Sequence, residues 1–248
     1  VIITGLNEAF VITAEQRQRL IDKDPKSAEI IVPFVKGDDV RKWRVNYRDR
    51  YLILTKIGVE IGEYPLVYDH LKKHQEKLER RQDQGNFWWE LRACDYYDEF
   101  AKPKIVWPDI AKESRFALDK NGYFYGNTVY FSPVDCYYLL GLLNSKPVWQ
   151  YLLRHTAVLG DPDKGGRVRH FRQYMVTIPT SANGNKEAIM NLAERAVMLK
   201  DKITTSLGLA ERRRLEAQLL EVEREIDRAV YNLYGLTEKE IAIVEGRS

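Results

Sequence analysis

The chain has 248 residues, enough for one large domain or for a domain with an appendage. A hydrophobic content of 44% supplies a core, and no run approaches the roughly 18 consecutive apolar residues of a membrane span. With 39 basic against 36 acidic residues, a net charge of +3 neither demands nor excludes a polyanionic partner, so local charge patterning has to decide.

The chain opens Val1-Ile-Ile-Thr-Gly5 without a basic signal region and without an initiator Met, which predicts a cytoplasmic, excised part of a longer polypeptide. Ala9–Thr13 reads as extended, and Thr13 is placed to cap a helix over Ala14–Ile21. Ile30–Lys36 is again extended and runs into a turn at Gly37-Asp-Asp39. Basic and aromatic residues then interleave (Arg41, Lys42, Trp43, Arg44, Tyr47, Arg48), which fits either a solvated strand or a phosphate contact. Tyr51–Thr55 reads as a buried strand. Residues 64–84 read as one helix with Pro65 in its first turn and Val67, Leu71 and Leu78 as its apolar stripe. Phe87–Arg92 reads as a strand whose adjacent tryptophans, Trp88 and Trp89, face opposite ways, for packing or for stacking on a base. Cys94 and Cys136 are too few for a disulfide framework and read as reduced core residues.

Lys104–Pro108, Gly122–Phe131 and Tyr174–Pro179 carry the aromatic and β-branched composition of strands, and Tyr137–Ser145 reads as a buried helix. Between them runs a loop holding Lys164, Arg167, Arg169, His170 and Arg172 with no acid, after a Gly165-Gly166 pair that suits a hairpin turn or an anion-binding nest. Past Pro179, apolar residues recur at spacings of three and four: Ile189, Leu192, Ala196, Leu199, Ile203, then Leu215, Leu219, Val222, Ile226, Val230, Leu233. This predicts two helices broken near Ser206-Leu-Gly208 and paired antiparallel. Gly235 should end the second, and Thr237 with Glu240 should box the start of a last short helix.

Catalytic signatures are missing. There is no phosphate loop with its Lys-Ser/Thr, no Gly-x-Ser-x-Gly elbow, no His-Glu-x-x-His and no Cys-x-x-Cys. Pro108-Asp109 lacks the acid-x-Lys that a Mg²⁺ nuclease core requires on its next strand. A methyltransferase would need an acidic-or-Asn-Pro-Pro-aromatic loop and a Gly-containing S-adenosylmethionine turn, and the chain has neither.

Seven segments in order carry a resemblance: Thr4-Gly-Leu-Asn-Glu-Ala-Phe10, Ile31–Asp39, Trp89-Glu-Leu-Arg92, Lys102–Pro108, Asn127–Phe131, Leu140-Gly-Leu-Leu-Asn-Ser145 and Ile226–Ile241. Together they resemble the TaqI-like C-terminal specificity region of N6-adenine DNA methyltransferases and fused type IIG restriction-modification enzymes. The resemblance implies an α+β fold with a mixed-sheet target recognition domain, residues 1–182, followed by an antiparallel helical hairpin as spacer, residues 183–248. It implies duplex DNA and an upstream methyltransferase domain as partners, and no cofactor in this chain, with S-adenosylmethionine held upstream. The remaining alternatives are a stand-alone specificity subunit and a protein-interaction module working through the hairpin. On physical grounds Lys36, Arg41, Lys104 and Lys164 are expected on phosphates. Arg167, Arg169 and Gln173 are expected to read bases, since Arg fits guanine and Gln fits adenine. Arg172, Trp88 and Arg92 complete the expected surface.

Overall fold

The computed structural model describes residues 2–159, 167–169, 178, 180 and 186–247, with the backbone alone at 158 and 167–169. In chain order the helices are α1 (Asn7–Phe10), α2 (Ala14–Lys23), α3 (Pro65–Lys72), α4 (Gln75–Glu79), α5 (Tyr137–Asn144), α6 (Lys146–His155), α7 (Lys186–Thr205), α8 (Leu209–Tyr234) and α9 (Glu238–Val244). The strands are β1 (Val11–Thr13), β2 (Ile31–Val35), β3 (Val40–Arg41), β4 (Arg44–Val45), β5 (Arg50–Ile53), β6 (Lys104–Pro108), β7 (Ile110–Ala111), β8 (Ala117–Asp119), β9 (Phe124–Tyr125), β10 (Val129–Ser132), β11 (Ala157–Leu159) and β12 (Arg167–Arg169). The fold is α+β with a C-terminal helical pair. The chain divides into two units, each assembled from three separate segments. The first comprises residues 1–39, 46–103 and 120–130; the second comprises 40–45, 104–119 and 131–248. This division differs from the boundary expected at 182/183.

The first unit is built on a mixed four-stranded sheet in the order β1-β5-β2-β9. β5 runs antiparallel to both β1 and β2, whereas β9 is parallel to β2. Pro33 pairs with Tyr51 of β5, and from Phe34 onward β2 turns to β9, so the residue lacking an N–H stands where the strand changes partner. Ile12, Phe34, Val35, Leu52, Ile53 and Tyr125 are buried. Thr13 caps α2 in a box with Gln16, because its hydroxyl accepts the Gln16 backbone N–H while the Gln16 side-chain Oε1 accepts the Thr13 N–H. The predicted helix over 64–84 is instead two, α3 and α4. The His74 N–H closes a three-residue turn onto the Leu71 carbonyl, and Val67, Leu71 and Leu78 still point inward.

In the second unit β6 pairs antiparallel with β8, and β12 lies between β11 and β7 in a three-stranded sheet. α5 packs on α7, and α7 on α8 across the three-residue link at 206–208. The close fit depends on Gly141: a Cβ there would stand 2.7 Å from Ile189 Cγ2. Each of Leu140, Leu142 and Leu143 is buried, contributing about 1.5–3 kcal/mol per side chain. Asn144 returns the chain to the strands, with its Nδ2 donating to the Phe116 carbonyl at 2.9 Å and its Oδ1 accepting the Phe116 N–H at 3.2 Å. The hairpin is thus part of a larger core and not a detached spacer. Gly235 ends α8 at φ +64°, and Thr237 with Glu240 boxes α9, both as expected. α6 was absent from the sequence expectations; its inward residues are Pro147, Val148 and Leu152.

Cys94 and Cys136 are half-buried free thiols, not core residues, and the Cys136 sulfur accepts the Leu139 N–H at the head of α5. Among the described residues no helix is long and apolar enough to cross a membrane.

Candidate functional site

Lys36 closes β2 and lines a cleft of about 270 Å³ in the first unit with Thr4, Asn7, Phe34, Asn127 and Thr128. Three elements meet there because Gly37 has no side chain. A Cβ at that position would lie 2.8 Å from the Thr128 carbonyl oxygen, and the Gly37 N–H instead donates to Thr128 Oγ1 at 3.0 Å. The Lys36 N–H donates to Asp39 Oδ2 at 2.9 Å, and the Lys36 ammonium has no carboxylate partner among the described residues. Asp39 is fully buried and also takes ion pairs from Arg48, at 3.1 Å, and from Arg50. Its double pairing engages both guanidiniums, Arg50 half-buried and Arg48 from the surface, a role their place in a basic run did not signal.

Arg41 lies in the second unit, on β3. β3 and β4 form a tight hairpin with Lys42-Trp43 at its tip. Trp43 adopts φ +70° yet is buried, with its Nε1–H donating to Glu223 of α8 at 2.7 Å and its backbone N–H donating to the Phe116 carbonyl. Lys42 pairs with the same Glu223 at 2.9 Å, and Arg44 pairs with Asp201 of α7 at 2.5 Å. Lys42, Trp43 and Arg44 of the interleaved cluster therefore dock on the helical hairpin. Arg41 stays half-buried, its guanidinium donating weakly to the Val40 carbonyl at 3.3 Å.

Trp88 and Arg92 are brought together in one turn that replaces the expected strand. Glu90, buried, accepts the Gly58, Asn86 and Phe87 N–H groups at 2.8, 2.7 and 3.1 Å, and these bonds curl the chain. Arg81 fixes the turn from beneath. It donates to the carbonyls of Thr4, Trp88 and Glu90, and burial, opposed by Asp83, lowers its pKa to about 10. Trp88 packs at 5.7 Å from the Tyr68 ring and 5.3 Å from Trp89, while Phe87, 54% exposed, stacks on Trp89 at 4.6 Å. Arg92 pairs with Asp83 at 3.2 Å on the surface.

Lys104 is a correction. Its side chain is fully buried on β6 and pairs at 2.7 Å with Asp119, directly opposite on β8. Burial holds the ammonium below the ordinary lysine range, with Asp119 opposing. A lysine so enclosed cannot reach a phosphate, and the sequence concealed this because the partner is set by strand register. Arg167 and Arg169 stand on the middle strand β12, opposite Leu159 and Ala157 of β11. Lys164, Arg172 and Gln173 lie outside the described residues, as do the Gly165-Gly166 pair and most of the strand expected over 174–179.

Residues 32–179 match the family described as the TaqI-like C-terminal specificity domain. The chain is also similar to the type II methyltransferase M.BanIII of Aneurinibacillus aneurinilyticus. The two are 26% identical over 199 residues, covering 71% of this chain and 34% of that protein. The structure of the type IIL restriction-modification enzyme MmeI in complex with DNA superposes with a TM-score of 0.72 at 18% identity, over 99% of this chain and 34% of that one. It shares the fold, and this chain spans about a third of the length of each relative. With more than half of its residues matched, the chain belongs to the TaqI-like C-terminal specificity domain family.

Proposed function

We propose that this chain reads a defined duplex DNA sequence and positions a target adenine for N6 methylation by the remainder of a longer polypeptide, a methyltransferase or a fused type IIG restriction-modification enzyme. On this reading S-adenosylmethionine and the methyl-transfer groups belong to that remainder, and the chain supplies specificity alone. The reading is supported chiefly by the register of β12. Arg167 and Arg169 fall at positions of one parity on the middle strand of a sheet, inside the segment that matches the specificity family. Arginines held at alternate strand positions suit bidentate reading of guanine edges, while Lys36, Arg41 and Lys164 suit phosphates.

The test is a selection of duplexes from a random-sequence library by the purified chain, followed by titration of the enriched duplex. A defined site should emerge, and Arg169→Ala should cost about 1–3 kcal/mol on it and much less on random duplex. A library recovered without any preferred sequence would overturn the proposal.

A further inference from the structure

We propose that the Lys36 cleft is an oxyanion site that holds one backbone phosphodiester of the bound duplex, an assignment that rests on the duplex reading above. Its hydrogen-bond inventory is biased to donors. Thr4 Oγ1 donates to Asn7 Oδ1 at 2.8 Å, which occupies the carbonyl end of that amide and leaves its Nδ2 hydrogens for a ligand. Thr128 Oγ1 accepts the Gly37 N–H, so its own hydrogen remains to donate. Lys36 adds an ammonium, and the lining (Ile2, Ile3, Thr4, Gly5, Asn7, Phe34, Lys36, Gly126, Asn127, Thr128) includes no carboxylate.

An ammonium, an amide N–H₂ and a hydroxyl on residues that line one cleft, with no carboxylate in that lining, suit a ligand that only accepts. One positive charge matches the single negative charge of a phosphodiester better than the nearly doubled charge of a phosphomonoester. Three stretches distant in sequence build the cleft, one around Thr4 and Asn7, one at Phe34 and Lys36, and one at Gly126–Thr128. Gly37 and Gly126 both leave no room for a side chain, since a Cβ on Gly126 would lie 3.0 Å from Phe34 Cζ. Packing thus fixes the backbone that carries Asn7 and Thr128, while the Lys36 ammonium reaches the cleft on a longer arm.

The experiment uses the ¹⁵N-labelled chain titrated separately with a short random-sequence duplex and with inorganic phosphate. Affinities for the duplex are measured at several salt concentrations for the parent, Lys36→Gln, Lys36→Arg and Asn7→Asp. The duplex should shift the Asn7 side-chain amide and the Gly37 and Thr128 amides. Lys36→Gln should flatten the log–log salt slope by about 0.9 unit, as expected for one lost phosphate neutralisation, and Lys36→Arg should retain it. Asn7→Asp, which sets a carboxylate where the amide donated, should weaken binding more than Lys36→Gln does. If the duplex binds with the parent slope in Lys36→Gln and leaves the Asn7 amide unmoved, the cleft assignment falls while duplex reading stands. If the parent binds no duplex, both fall, and a response to inorganic phosphate alone would mark an adventitious ion only.

Discussion

Trp43 holds a left-handed backbone, φ +70°, that costs an L residue with a Cβ about 1–2 kcal/mol. Its buried indole and the bonds to Glu223 and Phe116 offset that strain. Trp43→Ala should lose about 3–5 kcal/mol. Trp43→Gly deletes one atom more yet should be the more stable of the two by about 1 kcal/mol, because glycine adopts this φ freely. Urea denaturation of both variants checks the order, and alanine above glycine would remove strain from the explanation. His70 gives a pH dependence. Burial holds its imidazole below the ordinary value of 6.5, with the bond to the Ala9 carbonyl opposing at 3.0 Å. The unfolded chain takes up a proton near 6.5 that the folded chain resists. Stability from this source is therefore complete above 6.5 and is lost as pH falls from there toward the folded value. Thermal melts at stepped pH should show this acid-side loss in the parent and a shallower one in His70→Gln; equal slopes would exclude His70 as its origin.

Among the elements, the contact of α5 with α7 is the most exposed to a single methyl group. Gly141→Ala should gain about 1 kcal/mol in helix propensity, but its Cβ meets Ile189 Cγ2 at 2.7 Å and Ala193 Cβ at 3.3 Å. Overpacking of about 1–3 kcal/mol should win. Adding Ile189→Ala makes room, so the double variant should be more stable than the sum of the two single losses implies. A double-mutant cycle by chemical denaturation measures that coupling, and strict additivity would show that the helices do not meet as described. The helices were legible because their cues are local: spacings of three and four from Ile189 to Leu233, the Thr237–Glu240 box and the stop at Gly235. The turn at 87–92 was not legible. Its geometry is set by Glu90 reaching Gly58, 32 residues away, against an aromatic composition that favours a strand. The candidate surface was only partly legible for the same reason. The sequence named Lys36, Arg41 and Lys104 as cations for phosphates, but whether a cation is claimed by an acid such as Asp39, Asp119 or Asp201 depends on strand register and tertiary contacts that the sequence does not display.

At the scale of the whole molecule, each unit is closed by segments that the other interrupts in sequence. A cut at 182/183 should therefore not release two folded halves. Fragment 183–248 would carry α7 without α5 over Ile189 and Ala193, and without the β3–β4 hairpin over Glu223 and Asp201. Expressed alone it should be oligomeric or weakly helical, and mixing it with 1–182 should restore monomeric, cooperatively melting protein. Size-exclusion chromatography and circular dichroism test this, and a monomeric, fully helical fragment on its own would contradict it. The bond from Trp43 to Glu223 has a further consequence for how the protein is made. The two residues are 180 positions apart, so at synthesis rates of about 5–20 residues per second the indole waits roughly ten to forty seconds for its acceptor to be translated. During that interval a nascent chain displays an uncovered tryptophan between basic neighbours on the ribosome, and the hairpin at its tip can lock only after Glu223 has been translated.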